Sequence, residues 1–327
     1  MSNAPLKGWN HVPDVPLQVS PLFQWPPRPI QMLSWLWNSW FLISERMIIV
    51  GIACISFYWF QPPLEETRTL AFGWIAEMFL RNLVLMTIVA GGLHLYFYTF
   101  TKQGKDLKYD PRPLMKNGRQ FTLGGQIRDN MFWTLASGVT VWTAYEVLMF
   151  WAMANGYAPI LTWAANPVWF IALFLIIPIW ESFYFYWIHR LLHVPFLYKY
   201  VHALHHRNIN VGPWSGLSMH PVEHVIYLGT VMVHFVVAAH PIHILYHLQY
   251  YTLTAATTHT GFEGMVIKDK NRLKLGTFHH QMHHRYFECN YGGLELPWDK
   301  WFGSFHDGTI ESDAKIKERR KTFTNGT

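Results

Sequence analysis

Charged side chains and cysteines are both scarce in this sequence of 327 residues. Only 14% of the residues are charged, against roughly 25% in soluble domains. Because 51% are hydrophobic, a disordered or fully solvated chain is excluded. Two cysteines, Cys54 and Cys289, allow at most one disulfide bond. A disulfide-stapled secreted fold and a zinc module with cysteine ligands are therefore not expected.

A signal-peptide pattern is absent as well. Residues 1–29 contain seven prolines and no apolar core segment, so we expect membrane insertion to rely on internal segments. Histidine, in contrast, is abundant, with 19 residues. Imidazole is the side chain of proton transfer and of borderline metal ions. This excess indicates a functional site.

Four stretches lack charge almost completely: residues 47–60, 82–100, 131–154 and 167–188. A transmembrane helix needs about 20 apolar residues. The last three stretches are long enough, whereas residues 47–60 suit a short span or an interfacial helix equally well. We therefore predict about four spans.

The distribution of basic residues predicts the orientation of these spans. Residues 101–128 contain seven Lys and Arg, whereas residues 155–166 contain no charged residue. Because Lys and Arg accumulate in cytoplasmic loops, the basic loop is predicted to be cytoplasmic, and residues from 189 onward return to that side. Residues 224–262 are also uncharged but are divided by Pro241, which predicts a hairpin dipping into the membrane or two short helices.

The histidines are concentrated in three clusters with helical spacing. HRLLH, HALHH and HHQMHH place residues three or four positions apart, so they share a helix face, and we expect each cluster to present its imidazoles to one point. Eight clustered imidazoles are too many for one tetrahedral zinc and indicate two metal ions. The candidate ligands are His189, His193, His202, His205, His206, His280, His283 and His284.

The ligand type narrows the choice of metal and reaction. Imidazoles without thiolates suit zinc, copper, iron or nickel and argue against iron–sulfur clusters. We interpret the site as a di-iron centre that uses dioxygen on a C–H bond of a membrane lipid. Isolated histidines are expected to have hydrogen-bonding or packing roles, namely His11, His94, His234, His240, His243, His247 and His306.

The order HRLLH, HALHH and HHQMHH followed by NYG resembles the fatty acid hydroxylase superfamily, and within it the sterol desaturase branch. The resemblance extends from about residue 176 to 303 and is strongest to sterol C-5 desaturases. Sterol C-4 methyl oxidases and alkylglycerol monooxygenase share the outline. The resemblance to this superfamily implies two iron ions as cofactor and dioxygen as co-substrate.

The resemblance also implies two further ligands, His220 in LSMHPVEH and His259 in THTGFEG. His224, one helical turn after His220, is the alternative to it. Four other side chains are expected to orient the ligand imidazoles from outside the coordination sphere, as buried polar groups near metal ligands commonly do. They are Glu181, Glu223, Glu263 and Asn290.

Two glutamates lie inside apolar segments, Glu146 and Glu181. An ionisable group at membrane depth is costly and therefore suggests a functional role. The alternative is a carboxylate paired with a neighbouring helix.

Electrons for dioxygen have to come from outside, because the sequence shows no nucleotide-binding fingerprint. By resemblance the donor is cytochrome b5 with its reductase, or a ferredoxin-type protein. Arg190, Lys199 and Arg207 alternate with the first two clusters and are candidates to face lipid phosphates or an acidic donor. Nucleic acid is not expected as a partner, because the net charge of +6 belongs largely to loops and tail.

The predicted fold is all-α: a multi-pass transmembrane bundle with a membrane-dipping hairpin and a cytoplasmic histidine-rich di-metal cap. We divide it into an N-terminal arm (1–45), an N-terminal membrane region (46–165), a catalytic domain (166–308) and a basic tail (309–327). The expected membrane is the endoplasmic reticulum in a eukaryote or the inner membrane in a bacterium.

The predicted function is desaturation or hydroxylation of a sterol or another lipid. The stretch NINVGPWSGLSM departs from typical C-5 desaturases, which leaves a fatty-acyl or alkyl-lipid hydroxylase as the alternative. A histidine-rich metal transporter is the alternative of another class, but transporters hold their ligands at the bilayer midplane.

Overall fold

A computed structural model describes residues 8–41 and 43–325, apart from the side chains of 271, 272 and 319–325. The predicted arm and tail therefore lie partly outside the described residues, at 1–7, 42 and 326–327. The described chain is mostly helical. Its elements are α1 (Pro29–Trp40), α2 (Glu45–Trp59), α3 (Phe72–Thr99), α4 (Gln126–Phe132), α5 (Val139–Ala154), α6 (Pro167–Leu192), α7 (Ala203–His206), α8 (Pro221–Leu228), α9 (Pro241–Thr258), β1 (Gly264–Ile267), β2 (Lys270–Lys274), α10 (Phe278–Tyr286), α11 (Trp298–Trp301) and α12 (Ile310–Asn325).

Several single helical turns complete this framework. π-Helical turns lie within α3 at Thr87–Gly91 and Leu95–Thr99, join α4 to α5 at Trp133–Gly138, and precede α7 at Tyr198–His202. A short helix at Pro195–Leu197 leads into the last of these turns. Short 3₁₀ turns occur at Pro21–Phe23, Leu64–Arg68, Pro213–Ser215 and Gly229–Phe235.

Two helices of the described chain, α3 and α6, are long and apolar enough to cross a membrane. They contain 28 and 26 residues, which corresponds to about 40 Å of helix each. The pair α1 and α2, bent by 53°, forms a third candidate if it is counted as one span. The predicted segment 131–154 is helical but is not among these candidates, so the count of four spans stays a prediction.

The long uncharged run forms the centre of the protein. It is divided at Pro241, as the sequence predicts, because α9 begins there with His240 as its N-cap. Sixteen of the 18 residues of α9 are buried, and the helix packs against α2, α5 and α6. The absence of charge in this helix therefore reflects burial within the protein, and the expected dipping into the membrane stays a prediction.

The all-α expectation misses one small sheet. β1 and β2 form an antiparallel hairpin, with a bulge between Met265 and Val266. The turn residues Lys268 and Asp269 both have positive φ, 50° and 58°. Such paired left-handed residues match the right-handed twist of a two-stranded ribbon.

The described part of the N-terminal arm lies along α10. Trp9 packs edge-on against Phe278, with ring centroids 4.8 Å apart, and Arg285 lies 4.1 Å above the Trp9 ring. Further along, the Leu17 N–H donates to Asp307 O at 2.7 Å. The arm thus covers the outer side of the third histidine cluster.

Gly216 brings the loop before α8 into contact with α9. A Cβ at this position would lie 1.9 Å from the Ala255 carbonyl oxygen, which is far inside van der Waals contact. We predict that Gly216→Ala displaces this loop and lowers the melting temperature of the purified protein by several degrees. Gly51→Ala is the matched control, because a Cβ on Gly51 meets nothing within 4 Å. Equal melting temperatures for both variants would contradict the close approach.

Candidate metal centre

Nine of the ten predicted ligands converge in two buried groups. The first group takes His189 and His193 from the end of α6, His202 and His206 from the turn around α7, and His283 from α10. The second group takes His205 from α7, His259 from the end of α9, and His280 and His284 from α10. Within each group, all candidate ligand atoms lie within 4.8 Å of one another.

The HxxHH clusters divide between the groups, contrary to the expectation that each presents one point. The pair His202 and His206 enters the first group and the pair His280 and His284 the second, while His205 and His283 each join the other group. Because i and i+4 share a helix face and i+3 lies beside it, each cluster contacts both groups. The two groups are thereby fixed side by side.

In the first group, the Nε2 atoms face each other at short range. His189 Nε2 lies 3.1 Å from His202 Nε2, and His206 Nε2 lies 3.1 Å from both His193 Nε2 and His283 Nε2. Two nitrogens bound at right angles about 2.1 Å from one metal ion are about 3.0 Å apart. The observed spacing matches that of neighbouring metal ligands.

The second group excludes a purely hydrogen-bonded explanation. The Nε2 atoms of His259, His280 and His284 form a triangle with sides of 3.0, 3.1 and 3.2 Å. A neutral imidazole nitrogen either donates or accepts. A triangle has three sides, so at least one pair must be two donors or two acceptors. A cation between the three lone pairs removes this conflict, so the residues fit a metal ion.

The outer ring nitrogens are held so that Nε2 keeps its lone pair. His189 Nδ1 lies 2.6 Å from Tyr291 O, and His283 Nδ1 lies 2.6 Å from Cys289 O. His259 Nδ1 lies 2.7 Å from Ala255 O. A carbonyl oxygen only accepts, so these Nδ1 atoms carry the ring proton and Nε2 is free to bind a metal.

Burial keeps several of the candidate ligand imidazoles uncharged. It lowers the pKa of His205 to about 4 and the pKa of His206 and His283 well below the ordinary value. At neutral pH these rings are therefore neutral, so each has one nitrogen with a lone pair that can bind a metal ion.

Glu223 contacts the imidazole of a candidate ligand, His202. Its Oε1 accepts from His202 Nδ1 at 2.7 Å, and the carboxyl is buried. A carboxylate behind a ligating imidazole fixes the ring and strengthens the nitrogen as a ligand. The first turn of α8 thus supports the first group.

The other three predicted supporting residues do not contact ligand nitrogens. Asn290 Nδ2 donates to His279 O and His306 O, both at 3.1 Å. Glu263 pairs with His11. Glu181 lies eight residues before His189, about 80° away around the helix, and faces a cavity instead.

His220 does not join either group. Its Nδ1 accepts from the Val222 N–H at 3.2 Å, so it caps α8. Its alternative, His224, lies 3.0 Å from both Ser137 Oγ and Leu217 O and also stays outside the groups. His279 is buried, with its Nε2 3.9 Å from Asp299 Oδ2, and belongs to neither group.

The supporting carbonyls of Cys289 and Tyr291 are absent from the sequence-based prediction. Asn290 between them has φ 57°, a left-handed conformation that Asn adopts more readily than most residues. This turn aims both neighbouring carbonyls at ligand imidazoles. Asp299 fixes the next residues by accepting from the N–H groups of Tyr291 and Gly292 at 2.9 and 2.8 Å. The signal in the sequence is Asn290, six residues after the last histidine of the third cluster.

A cavity of about 710 Å³ extends to both groups. Its wall includes His189 and His202 of the first group and His205, His259 and His280 of the second. Aromatic and apolar side chains form much of the remaining wall, and the volume is within the range of pockets for drug-sized molecules. A second, almost entirely apolar cavity of about 280 Å³ lies between α2 and α3 and shares Glu45, Leu273 and Leu275 with the first.

The three basic residues between the clusters differ in environment. Arg190 and Lys199 are exposed. Arg207 is not free to dock a partner, because it pairs with Asp129 Oδ2 at 3.1 Å and donates to Gln120 O at 2.6 Å.

Fold and site together define a mostly helical protein with membrane-length helices and two histidine groups able to hold metal ions. Residues 174–304 match the family model of the fatty acid hydroxylases. The resemblance found in the sequence is thereby confirmed, because this part of the chain is similar to the fatty acid hydroxylases and to curated sterol C-5 desaturases.

Curated relatives carry sterol desaturase names. A Delta(7)-sterol 5(6)-desaturase of Gibberella zeae is 35% identical over 39% of this chain and 40% of its own length. A Delta(7)-sterol-C5(6)-desaturase of Nicotiana tabacum is 31% identical over 45% and 52%. A Delta(7)-sterol 5(6)-desaturase of Aspergillus fumigatus is 28% identical over 73% and 70%. The chain thus spans about half the length of the first two, and no solved structure matches it significantly.

We predict that His283→Ala lowers the metal content of the purified protein by about one ion per chain, because it removes one of the Nε2 atoms of the first group. His220→Ala should keep the wild-type metal content, since His220 lies outside both groups. Elemental analysis of the two variants beside the wild type measures this. Metal loss in His220→Ala would return this residue to the ligand set.

The Glu223 contact is expected to tune metal affinity. Glu223→Leu removes the acceptor of His202 Nδ1, and loss of such a supporting partner typically weakens metal binding about 10- to 100-fold. Glu223→Gln keeps an acceptor oxygen and should weaken binding less. Competition with a chelator at constant pH ranks the three proteins, and equal metal loss in all of them would contradict the role of Glu223.

Proposed function

We propose that the two histidine groups bind two iron ions and that the protein uses dioxygen and external electrons to oxidise a C–H bond of a sterol or another lipid. The observation that carries this proposal is the cavity wall, which contains ligands from both groups. A lipid in the cavity therefore lies against the metal centre. Bound iron would supply the activation of dioxygen.

The donor set supports iron. All nine candidate donors are imidazole nitrogens, and the first group contains five. Structural and catalytic zinc is usually bound by four or fewer protein ligands. The imidazoles hold the ions, and burial of both groups excludes bulk water from them.

The names of the relatives support a sterol as substrate, and the family description supports hydroxylation as the second outcome. Both reactions begin at a C–H bond and differ in whether the product has a double bond or a hydroxyl group. Residues 211–219 are buried, and Gly216 and Met219 of this loop line the cavity. The stretch that departs from typical C-5 desaturases therefore shapes the substrate site, so the lipid and the carbon are specific to this chain.

An electron donor follows from the stoichiometry. Complete reduction of dioxygen to water takes four electrons, and forming one double bond or one hydroxyl group supplies two. The other two come from cytochrome b5 with its reductase or from a ferredoxin-type protein. The exposed Arg190 and Lys199, beside the first cluster, are the proposed contacts for an acidic donor.

Contacts between the basic loop and the histidine region support a common, cytoplasmic side for both. The Tyr109 N–H donates to Gly261 O at 2.9 Å, and Gln126 Nε2 donates to Asn208 Oδ1 at 3.1 Å. The positive-inside rule assigns the loop to the cytoplasm. The membrane is then the endoplasmic reticulum in a eukaryote or the inner membrane in a bacterium.

Comparison of lipids from cells with the wild type, with His283→Ala and without the protein tests the proposal. We expect a lipid that has lost two hydrogens or gained one oxygen atom only with the wild type, and its formation should stop without dioxygen. Oxidation that persists in His283→Ala would contradict a role of the metal centre. Metal flux into vesicles without any lipid product would favour a transporter instead.

A further inference from the structure

Glu181 is a buried carboxyl group in the cavity wall without a hydrogen-bond partner. Its side chain lies in α6 and is 3% exposed. Among the residues that the structure describes, neither Oε1 nor Oε2 accepts a hydrogen bond. An unpaired polar group costs a folded protein stability, and a carboxyl within a membrane-length helix costs most of all. Such a group requires a compensating role.

His247 is the nearest candidate partner, but its ring does not donate to Glu181. His247 Nε2 lies 3.6 Å from Glu181 Oε1, beyond hydrogen-bond distance. His247 Nδ1 lies 2.9 Å from His234 Nε2. His234 Nδ1 in turn lies 3.3 Å from the Val237 carbonyl oxygen, which can only accept. The proton of His234 is therefore on Nδ1, and that of His247 is on Nδ1 as well. His247 Nε2 is left as an acceptor, which Thr230 Oγ1 fills at 3.2 Å.

The other intramembrane glutamate shows what a purely structural carboxyl group looks like in this protein. Glu146 is fully buried and pairs with Arg81. It also accepts from Asn82 Nδ2 at 2.9 Å and from Trp142 Nε1 at 2.8 Å. Glu146 thus has the paired, structural role. The unpaired carboxyl group is that of Glu181, which lies in the cavity wall.

Further polar atoms of the same wall accept or donate no hydrogen bond among the described residues. They are Ser182 Oγ, the Tyr251 hydroxyl, Arg46 Nε, Glu223 Oε2 and His279 Nε2. Tyr251 is held in place by its neighbour, because its ring stacks on Tyr227 with centroids 3.9 Å apart. Glu181, Ser182 and Tyr251 thus offer a small polar subsite, one carboxyl and two hydroxyl groups, to a molecule in the cavity.

We propose that Glu181, supported by Tyr251 and Ser182, accepts a hydrogen bond from a hydroxyl group of the lipid substrate. The cavity is thus specific for a lipid alcohol, and Glu181 is a binding and specificity residue. The inference rests on the proposed oxidation of a lipid in this cavity, and it names the polar group that the lipid carries.

The charges of the wall disfavour the two other lipid classes. The wall contains four glutamates, Glu45, Glu181, Glu223 and Glu295, and two basic residues, Arg46 and Lys274. Since Arg46 is already paired with Glu295 at 2.7 Å, a fatty acid anion would meet an excess of carboxyl groups. A pure hydrocarbon would leave Glu181 unpaired. An alcohol satisfies the carboxyl without adding charge.

Direct binding tests the inference without turnover. We suggest measuring the affinity of the purified full chain in lipid nanodiscs for a radiolabelled Δ7-sterol with a free hydroxyl group and for its methyl ether. The wild type should prefer the alcohol by about tenfold, because the ether leaves the buried carboxyl group of Glu181 without a hydrogen-bond donor. Glu181→Leu should abolish this preference, whereas Glu181→Gln, which keeps one acceptor oxygen, should retain part of it.

Glu77→Leu is the matched control, because Glu77 lies exposed in α3 outside both cavities, and it should keep the preference. Melting temperature and metal content show whether each variant is folded. Equal affinities for alcohol and ether in the wild type, or an undiminished preference in Glu181→Leu, would overturn the inference. Lipid oxidation with equal affinities would refute the subsite alone, and preferential binding without oxidation would refute the proposed function alone.

Discussion

The orientation of the imidazole rings is the constraint on which the rest of the structure depends. A ring binds a metal through Nε2 only if its proton stays on Nδ1, so each Nδ1 needs an acceptor on the outer side of the site. Carbonyls of residues 289 and 291, the end of α9 and the Glu223 carboxyl provide such acceptors for four of the nine rings, those of His283, His189, His259 and His202. The loop at 289–292, the N-terminus of α8 and the end of α9 therefore have fixed positions relative to the groups.

Burial of so many polar groups costs free energy, and burial of the apolar core around them offsets this cost. α9 passes through the centre of the protein, and α2, α5 and α6 pack around it. Its C-terminal end delivers His259, while α6 delivers His189 and His193. Metal ligands thus come from the ends of the same helices that form the core, and the site is as rigid as that core.

Helical spacing singles out the eight clustered histidines, all of which lie in the two groups, because i and i+4 contacts are local. His259 follows from the family resemblance instead. The lack of charge at 82–100 and 167–188 predicts in outline the two long helices observed at 72–99 and 167–192. Helical spacing fails where contacts are non-local: the partition of His205 and His283 between groups depends on how α7 and α10 pack. His220 resembles a ligand in sequence, yet a His-Pro pair also suits a helix N-cap. Glu181 does not contact a candidate ligand, because eight residues do not complete a whole number of helical turns. The hairpin at 264–274 has no strong alternation in its sequence.

Glu181 and His189 belong to one continuous helix, so their separation along its axis is fixed at about 12 Å. If one end of a substrate is anchored at Glu181, α6 sets the distance from that end to the metal centre and thereby selects the carbon that is oxidised. Regioselectivity is then a matter of molecular length and shape, and shortening or lengthening the molecule moves the position of attack along its skeleton. A single helix would in this way decide both which molecules are accepted and where they are changed.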